Sequence, residues 1–189
     1  MKKISYYILA MGVGMMALTG CNDSFLDTSS KTSSNSTSFY KTQEQANYAV
    51  IGCYDMYQRT VSNGSWPSLF QAVETMSDDG LGGGPDDRGD RLMDRFDRSY
   101  MSDQVNLFDG IWQDYYKCIY NCNQLINSIP GINFSSSADR IDCEAQARAI
   151  RGLAYFDLVR MFENVPLLTT ATRDEVPQAT PDEAYKHIV

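Results

Sequence analysis

The sequence predicts an all-α protein in which long helices pack in pairs. Apolar residues recur with a helical period of about 3.6 residues over residues 105–129 and again over residues 139–162. No stretch alternates apolar and polar residues over a useful strand length. Helix pairs of comparable length joined by loops are typical of tetratricopeptide-like arrangements, although no clear repeat of about 34 residues is present.

Residues 1–20 form a predicted export signal. Lys2 and Lys3 precede an uncharged apolar block, residues 4–18. The block has about 15 residues, whereas a helix needs roughly 20 apolar residues to cross a bilayer. A cleaved signal is therefore predicted in preference to a retained transmembrane anchor.

The tetrapeptide LTGC, residues 18–21, resembles the lipobox of bacterial lipoproteins. In such proteins the cysteine thiol receives a diacylglycerol, and the signal is cut in front of that cysteine. The resemblance implies a lipidated Cys21 as the first mature residue. Its acyl chains, palmitate among them, would hold the protein on a membrane, because each buried methylene contributes about 0.8 kcal/mol. The alternative is a soluble secreted protein with a chance cysteine after its cleavage site.

Residues 21–41 are predicted to tether the fold to this anchor. Residues 28–38, TSSKTSSNSTS, contain no hydrophobic side chain to bury, so they are interpreted as a flexible linker. Residues 42–189 are then one helical domain, long enough to bury a core. The formal net charge of −8 argues against nucleic acid or anionic lipid as a partner.

Two helices are predicted at the start of this domain. Thr42 and Gln45 have the spacing of a capping box, and the helix that they start is expected to run for about 18 residues, to residues 63 and 64. The second is expected over residues 67–76, with Pro67 in its first turn. Residues 77–91, SDDGLGGGPDDRGDR, are rich in Gly and Asp and are predicted to be a long, polar, mobile loop.

The later helices have clear start and stop signals. The periodic segment 105–129 is stopped by Pro130 and Gly131, and Asp139 is the expected N-cap of a helix that runs to Phe162. One more helix is predicted after residue 180, with Thr180 as its N-cap, Pro181 in its first position and Glu183 in its third. This helix begins only about two turns before the last residue, so the sequence is interpreted as the front part of a larger protein.

Four further cysteines have no assigned chemistry. Cys118 and Cys122 lie four positions apart on one predicted helix face, so they are expected to be buried as small hydrophobic residues. A disulfide from Cys53 or Cys143 to this pair is the alternative, with no connectivity implied. His187 is the single histidine, so no metal site and no cofactor are predicted.

Three blocks of the sequence, in order, resemble the SusD/RagB family of outer-membrane nutrient-binding lipoproteins. The longest is QARAIRGLAYFDLVRMFENVPLL, residues 146–168, which resembles a helix and exit turn of that family. The others are IWQDYYKCIYNCNQLINSI, residues 111–129, and VPQATPDEAYKHI, residues 176–188. FLD, residues 25–27, soon after the lipobox cysteine, is similar too.

The chain departs from the family pattern at three positions. Gln146 replaces the usual Glu, Gly152 the usual Ala, and Glu163 the usual Gly of the turn. Gly152 is expected to cost its helix about 1 kcal/mol relative to Ala. Glu163 must make the turn in another way.

The resemblance implies a function as well as a fold. It implies a lipid-anchored protein on the surface of the outer membrane of a Bacteroidetes-type bacterium, which binds a glycan, oligosaccharide or peptide. It also implies a SusC-like TonB-dependent transporter as the partner that takes up the cargo, and no chemistry of the protein's own. This chain corresponds to the N-terminal helical portion of such a protein.

The residues themselves also argue against an enzyme. A serine or cysteine nucleophile paired with histidine is disfavoured when His187 is the single histidine, and no phosphate loop is present. The acid pairs Asp78-Asp79 and Asp86-Asp87 have the residue type of a glycosidase, but acids in a glycine-rich loop are more often turn formers or cation ligands.

The family resemblance implies ligand contacts in the loop after the second helix. Trp66 is a candidate for stacking on a sugar ring, with a packed cover residue as the alternative. The acids of the loop also have the spacing to hold calcium, but not in EF-hand order, and the tripeptide RGD, residues 88–90, is treated as chance. The candidate hydrogen-bonding residues are Asp79, Asp86, Asp87, Arg88 and Asp90.

Two other hypotheses remain beside nutrient binding. One is a helical scaffold in an outer-membrane complex, which would bind a protein partner and no glycan. The other is a non-functional truncated fragment, which would be sensitive to protease. Neither the identity of the ligand nor the disulfide state of the cysteines is predicted from the sequence.

Overall fold

The residues that the structure describes contain six α-helices and two short strands, joined by turns and loops. The structure is a computed structural model, and it describes residues 39–84, 89–97, 107–172 and 174–188. This helical content confirms the predicted all-α class. In chain order the elements are α1 (Gln43–Gln58), α2 (Leu69–Thr75), α3 (Gly89–Asp94), α4 (Asp109–Ser128), α5 (Ser137–Phe162), β1 (Val165–Pro166), β2 (Gln178–Ala179) and α6 (Pro181–Ile188).

Helix α1 begins where the capping box predicts. Thr42 Oγ1 accepts a 3.3 Å hydrogen bond from the Gln45 N–H, and Gln45 Oε1 accepts a 3.1 Å bond from the Thr42 N–H. The helix continues into a π-helical turn, Arg59–Asn63, that ends at Gly64. A Cβ at Gly64 would lie 2.5 Å from the Arg59 carbonyl oxygen, so only glycine fits there. The predicted end of this helix is confirmed.

Helix α2 starts later than predicted, because Ser68 caps it. Ser68 Oγ accepts a 3.3 Å hydrogen bond from the Gln71 N–H, and Gln71 Oε1 accepts a 3.0 Å bond from the Ser68 N–H. Pro67 follows a cis peptide bond from Trp66 and precedes the helix. Placing Pro67 in the first turn was therefore wrong. The reciprocal bonds of a capping box define the start instead.

Helix α3 corrects the prediction of an uninterrupted loop over residues 77–91. Gly89, Asp90 and Arg91 are helical and open this short helix. Leu92 and Met93 follow them and are only 2% and 4% exposed. Burial of this apolar pair stabilises a helix that the glycine-rich composition disfavours.

Helices α4 and α5 pack against each other, and α1 packs against both. α4 begins slightly after the predicted start and passes into a 3₁₀ turn, Ile129–Gly131. No helix within the described ranges is both long enough and apolar enough to span a membrane. The core residues of α4 and α5 are Ile111, Tyr115, Ile119 and Leu125 from α4, with Ala147, Ile150, Ala154, Tyr155 and Leu158 from α5.

The N-cap of α5 is Ser136, not Asp139 as predicted. Ser136 Oγ accepts a 3.1 Å hydrogen bond from the backbone N–H of Asp139. Asp139 lies instead in the first turn, where its negative charge interacts favourably with the positive end of the helix dipole. The sequence prediction selected the wrong one of two good capping residues. The predicted C-terminal end at Phe162 is correct.

All four cysteines of the described part are buried and free. They are Cys53, Cys118, Cys122 and Cys143. The predicted role of Cys118 and Cys122 as small buried hydrophobic residues is confirmed, and none of the four thiols forms a disulfide with another. Interaction with Cys122, together with burial, raises the pKa of the Cys53 thiol, so it is protonated at neutral pH.

Glu163 ends α5 with a backbone φ of 67°, in the left-handed region that glycine adopts easily. After this turn β1 pairs antiparallel with β2, with Val165 opposite Ala179. These paired strands were not predicted, since no stretch of the sequence alternates apolar and polar residues over a useful strand length. Helix α6 starts as predicted, because Glu183 Oε2 accepts a 2.8 Å hydrogen bond from the Thr180 N–H.

Candidate functional site

Trp66 lies in the connection between α1 and α2, with 54% of its surface exposed. One edge of its indole packs on the start of α3, since a Cβ at Gly89 would lie 2.7 Å from Trp66 Cη2. The neighbouring Pro67 and Ser68 are buried. Trp66 is therefore anchored along one edge and exposed elsewhere, so part of its ring packs on the protein and the rest is open to solvent.

The other predicted ligand residues lie in different parts of the fold: Asp79 follows α2 and Asp90 is in the first turn of α3. Asp79 is exposed in the turn after α2, where its N–H donates a 3.2 Å hydrogen bond to Ser77 Oγ. Asp90 is half-buried in the first turn of α3, next to the glycine on which Trp66 packs. The predictions for Asp86, Asp87 and Arg88 lie outside the described residues. Of the two candidates within the described residues, Asp90 is therefore the one that follows the glycine on which Trp66 packs.

A carboxylate of α4 holds the Trp66 segment in place. Asp114 Oδ2 accepts hydrogen bonds from the hydroxyl and the backbone N–H of Ser65, at 2.7 and 3.2 Å. Its other oxygen, Oδ1, accepts a 2.8 Å bond from Lys117 Nζ. Ser65 also packs on Gly110 so closely that a Cβ there would overlap it. These contacts fix the residue before Trp66 against the N-terminal half of α4.

The charge of Asp114 is stabilised although the side chain is largely buried. Burial by itself would raise the pKa of this carboxyl, but the hydrogen bonds from Lys117 and Ser65 outweigh it, and the net pKa lies below the usual value. Asp114 is therefore ionised at neutral pH and keeps Lys117 close to the helix surface.

Beyond Asp114, one face of α4 forms an aromatic groove. We use this name for the open cavity of about 400 Å³ between α4 and the segment after β1. Its aromatic residues are half-buried and recur every four positions, which places them on one side of the helix. The groove is lined by Trp112, Tyr116, Tyr120, Leu168 and Thr172, with the polar Gln113, Lys117 and Asn121 beside them.

Contacts with the protein orient the rings of the aromatic groove. The centroids of Trp112 and Tyr116 lie 4.9 Å apart, and Phe162 meets Trp112 edge-on at 5.0 Å. The Tyr116 hydroxyl donates a 2.9 Å hydrogen bond to the Pro166 carbonyl oxygen. Burial raises the pKa of Tyr116, so this hydroxyl remains protonated and keeps its bond.

The opposite wall of the groove is held by buried polar side chains. Tyr155 accepts a 2.6 Å hydrogen bond from the Leu168 N–H and donates a 3.2 Å bond to its carbonyl oxygen. Asn123 Nδ2 donates to the carbonyl oxygens of Leu168 and Thr170, at 2.7 and 3.2 Å. Burial raises the pKa of Tyr155 to about 12. The position of the segment after β1 over α4 is therefore fixed by these hydrogen bonds from buried side chains.

The groove has the chemistry of a binding site for a hydroxyl-rich ligand. Aromatic faces provide apolar surface for a ring, and the amides and ammonium beside them provide hydrogen bonds.

The acid pair Asp78 and Asp79 is exposed in the turn after α2. Within the described ranges, no three His, Cys, Asp or Glu side chains gather in a way that could hold a metal ion.

The aromatic groove was not predicted from the sequence. Trp112, Tyr116 and Tyr120 were assigned to a periodic helix, and the period cannot tell which helix face a neighbour covers. A signal was present nonetheless. Each aromatic residue is followed directly by a polar one, in the pairs Trp112-Gln113, Tyr116-Lys117 and Tyr120-Asn121.

Comparison with known proteins gives consistent matches. The SusD-like family described as starch-binding and associating with the outer membrane matches residues 24–189. SusD-like protein P25 of Formosa agariphila is 22% identical over 138 residues, which are 69% of this chain and 25% of that protein. A solved laminarin-binding SusD-like protein is 27% identical, with a TM-score of 0.65 over 79% of this chain and 32% of the other.

Surface glycan-binding protein A from Bacteroides thetaiotaomicron, solved with laminarihexaose, is 25% identical with a TM-score of 0.62. The match covers 78% of this chain and 31% of that one. The chain therefore spans about a quarter to a third of the length of these relatives. Because the family match extends over residues 24–189 and the structural matches agree with it, the chain belongs to the SusD-like family.

Proposed function

We propose that the protein binds glycans on the surface of the outer membrane and delivers them to a SusC-like TonB-dependent transporter. The aromatic groove is the observation that carries the binding part of this proposal. It presents Trp112, Tyr116 and Tyr120 in a row beside three polar side chains. The names of two solved relatives, one binding laminarin and one in complex with laminarihexaose, support a glucan as the first ligand to test.

Within the groove, Tyr120 is the best residue to probe. Trp112 and Tyr116 contact Phe162 and the Pro166 carbonyl, so truncating either would also disturb packing. Within the described ranges, the hydroxyl of Tyr120 makes one hydrogen bond, a 3.2 Å bond that it accepts from Gln124 Nε2, a neighbour on the same helix. Replacing Tyr120 therefore tests the ring as a stacking surface with little effect on the fold.

Isothermal titration calorimetry with laminarihexaose tests the binding proposal. Tyr120→Ala is expected to raise the Kd about tenfold, since loss of one ring contact costs about 1.4 kcal/mol. Tyr120→Phe keeps the ring and is expected to bind almost like the original. Tyr54→Ala removes a half-exposed tyrosine from α1, outside the groove, and serves as the matched control.

Equal weakening by Tyr120→Ala and Tyr54→Ala would contradict the groove as the binding site. Binding by the original protein that neither change alters would place the site elsewhere. A complete lack of binding to laminarihexaose and to other glucans, together with capture of a protein partner, would favour the helical scaffold.

The transporter and the anchor are the parts of this proposal that the family resemblance carries. We expect an affinity-tagged protein, extracted from its own outer membrane in mild detergent, to co-purify with a TonB-dependent transporter. Mass spectrometry identifies the partner. A tagged Cys21→Ala protein, which lacks the proposed anchor, is the control. Recovery of the original protein without a transporter would contradict delivery while leaving glycan binding intact.

A further inference from the structure

A second cavity, separate from the aromatic groove, lies between α5 and α6 near the end of the chain. Its volume is about 170 Å³, below the roughly 300 Å³ at which sites for drug-sized ligands begin. It therefore has room for a small polar group rather than for a sugar chain. The cavity is lined by Arg148, Arg151, Gly152, Tyr155, His187 and Ile188.

Arg151 provides a buried positive charge at this cavity. The residue is only 8% exposed. Among the described residues its one hydrogen bond runs from Nη1 to Asn123 Oδ1, at 2.6 Å, and that acceptor is uncharged. A guanidinium has five N–H donors, and burying it without a negative partner is costly. The remaining donors of Arg151 are suited to an anion in the cavity.

Arg148 adds a second positive charge on the same face of α5. Its Nε and Nη2 both donate to Glu144 Oε1, at 2.8 and 2.6 Å. The Arg148 side chain is 54% exposed, so this ion pair with Glu144 lies at the outer margin and is weak in water. Arg148 can therefore turn part of its guanidinium toward a ligand without losing a buried partner.

His187 faces the two arginines from α6. Its Nε2 is buried and has no hydrogen-bond partner within the described part of the chain. The ring meets Tyr155 edge-on, with centroids 5.7 Å apart. Burial, then the charges of Arg151 and Arg148, lower the pKa of His187. The charged groups that act on it from α5 are these two arginines, of which Arg148 is paired with Glu144, and Glu183 and Lys186 precede it on its own helix α6.

We propose that the cavity between α5 and α6 binds a carboxylate group through Arg148, Arg151 and His187. A carboxylate matches the planar fork of a guanidinium and would also accept a hydrogen bond from the buried histidine nitrogen. The carboxylate is either that of an Asp or Glu side chain of the polypeptide or that of a small free acid. Both sources place the same chemical group against the same three side chains.

The single histidine of the chain makes a direct test feasible. The pKa of His187 is measured by NMR titration of its ring protons in a buffer free of carboxylates. Sodium acetate is then added and compared with sodium chloride at equal ionic strength, because salt alone screens the arginines. We expect acetate to raise the pKa of His187 further than chloride does, and to do so saturably.

Variants assign the effect to the cavity. Arg148→Gln is expected to raise the Kd for acetate roughly tenfold, since a hydrogen bond to a charged group is lost. It replaces a half-exposed side chain, so the protein should still fold, and circular dichroism checks this. Arg140→Gln, an exposed change near the start of the same helix, is the matched control and is expected to leave the Kd unchanged.

The titrations also distinguish the two sources. If acetate raises the pKa of His187, the carboxylate comes from a free acid. If that pKa already equals or exceeds the ordinary value of about 6.5 without acetate, and Arg148→Gln lowers it, a carboxylate of the polypeptide already occupies the cavity. If the pKa of His187 lies below its ordinary value and acetate raises it no more than chloride does, the proposal is overturned.

Discussion

The hydroxyl of Tyr57 donates a 2.9 Å hydrogen bond to Oδ2 of Asp157, one hundred residues further along the chain. Tyr115 donates a 2.8 Å bond to the same oxygen, so one carboxylate joins α1, α4 and α5. Burial, and then the charge of Asp157, raise the pKa of both tyrosines, which keeps both hydroxyls protonated as donors. The three central helices therefore share one buried polar contact.

This contact predicts a coupled loss of stability. Tyr115→Phe is expected to lower the free energy of unfolding by about 1.5–3 kcal/mol, because a hydrogen bond to a buried charge is lost. The double change with Tyr57→Phe is expected to cost more than the sum of the single changes, since the carboxylate then lacks both donors. Urea unfolding measures all three. Tyr54→Phe, on the exposed side of α1, is the control, and a strictly additive result would contradict the coupling.

Gly152 offers a stabilising change in the middle of α5. A Cβ at this position would meet Ile188 Cγ2 at 3.7 Å, an ordinary van der Waals contact. Gly152→Ala is expected to raise the free energy of unfolding by about 0.5–1 kcal/mol, because alanine is the better helix former.

Gly110 in α4 provides the matched comparison for that change. A Cβ at Gly110 would overlap Ser65, so Gly110→Ala is expected to destabilise the protein. Thermal unfolding of both variants separates helix propensity from steric fit. A destabilised Gly152→Ala protein would show that α5 needs this glycine for a reason other than space.

Asp114 predicts part of the acid sensitivity of the protein. Its pKa in the folded state lies below the usual value of about 3.9. Its contribution to stability is therefore fully present above about pH 4 and is lost as the pH falls through the folded-state pKa. Asp114→Asn is expected to be less stable than the original at pH 7 and to approach it below pH 3. Melting temperatures across this range test it, and a constant difference would contradict the linkage.

Trp66 and the loop before α3 predict a separate effect on ligand binding. Trp66→Ala is expected to raise the Kd for laminarihexaose about tenfold with unchanged helix content, as for loss of a stacking ring. Phe70→Ala, which removes an exposed ring from α2, is the control.

Asp86 and Asp87, in the acidic segment before α3, are also predicted to contact the ligand. Asp86→Ala with Asp87→Ala is expected to weaken binding without lowering the melting temperature, because a segment as rich in glycine and aspartate as residues 77–91 is expected from its sequence to carry little packing energy. Calorimetry and circular dichroism decide between the two roles of Trp66. A lost thermal transition in Trp66→Ala would show that its contact with Gly89 serves packing first.

Cys21 predicts the attachment to the membrane. Cys21→Ala is expected to abolish lipid modification and normal signal cleavage, so that Lys2 and Lys3 stay on the precursor. Mass spectrometry of the membrane fraction measures both. Cys53→Ala is a control, since that thiol is buried in the fold. An unmodified Cys21 in the original protein would refute the anchor.

Local sequence signals determined much of this protein. Helix periods and capping residues such as Thr42 and Thr180 act within one or two turns, so the spans of α1, α4, α5 and α6 follow from neighbouring residues. The ordered motifs of residues 111–129, 146–168 and 176–188 were enough to indicate the family, which the comparisons confirm.

Tertiary structure decided which of these residues meet. Leu92 and Met93 form a helix because they find a core, and Arg151 lies at a cavity because α6 folds back over α5. The face of α4 that carries Trp112 and Tyr120 became a groove because Tyr155 and Asn123 hold the segment after β1 beside it. These contacts join residues far apart in the chain, and a helical period specifies a face without specifying what will cover it.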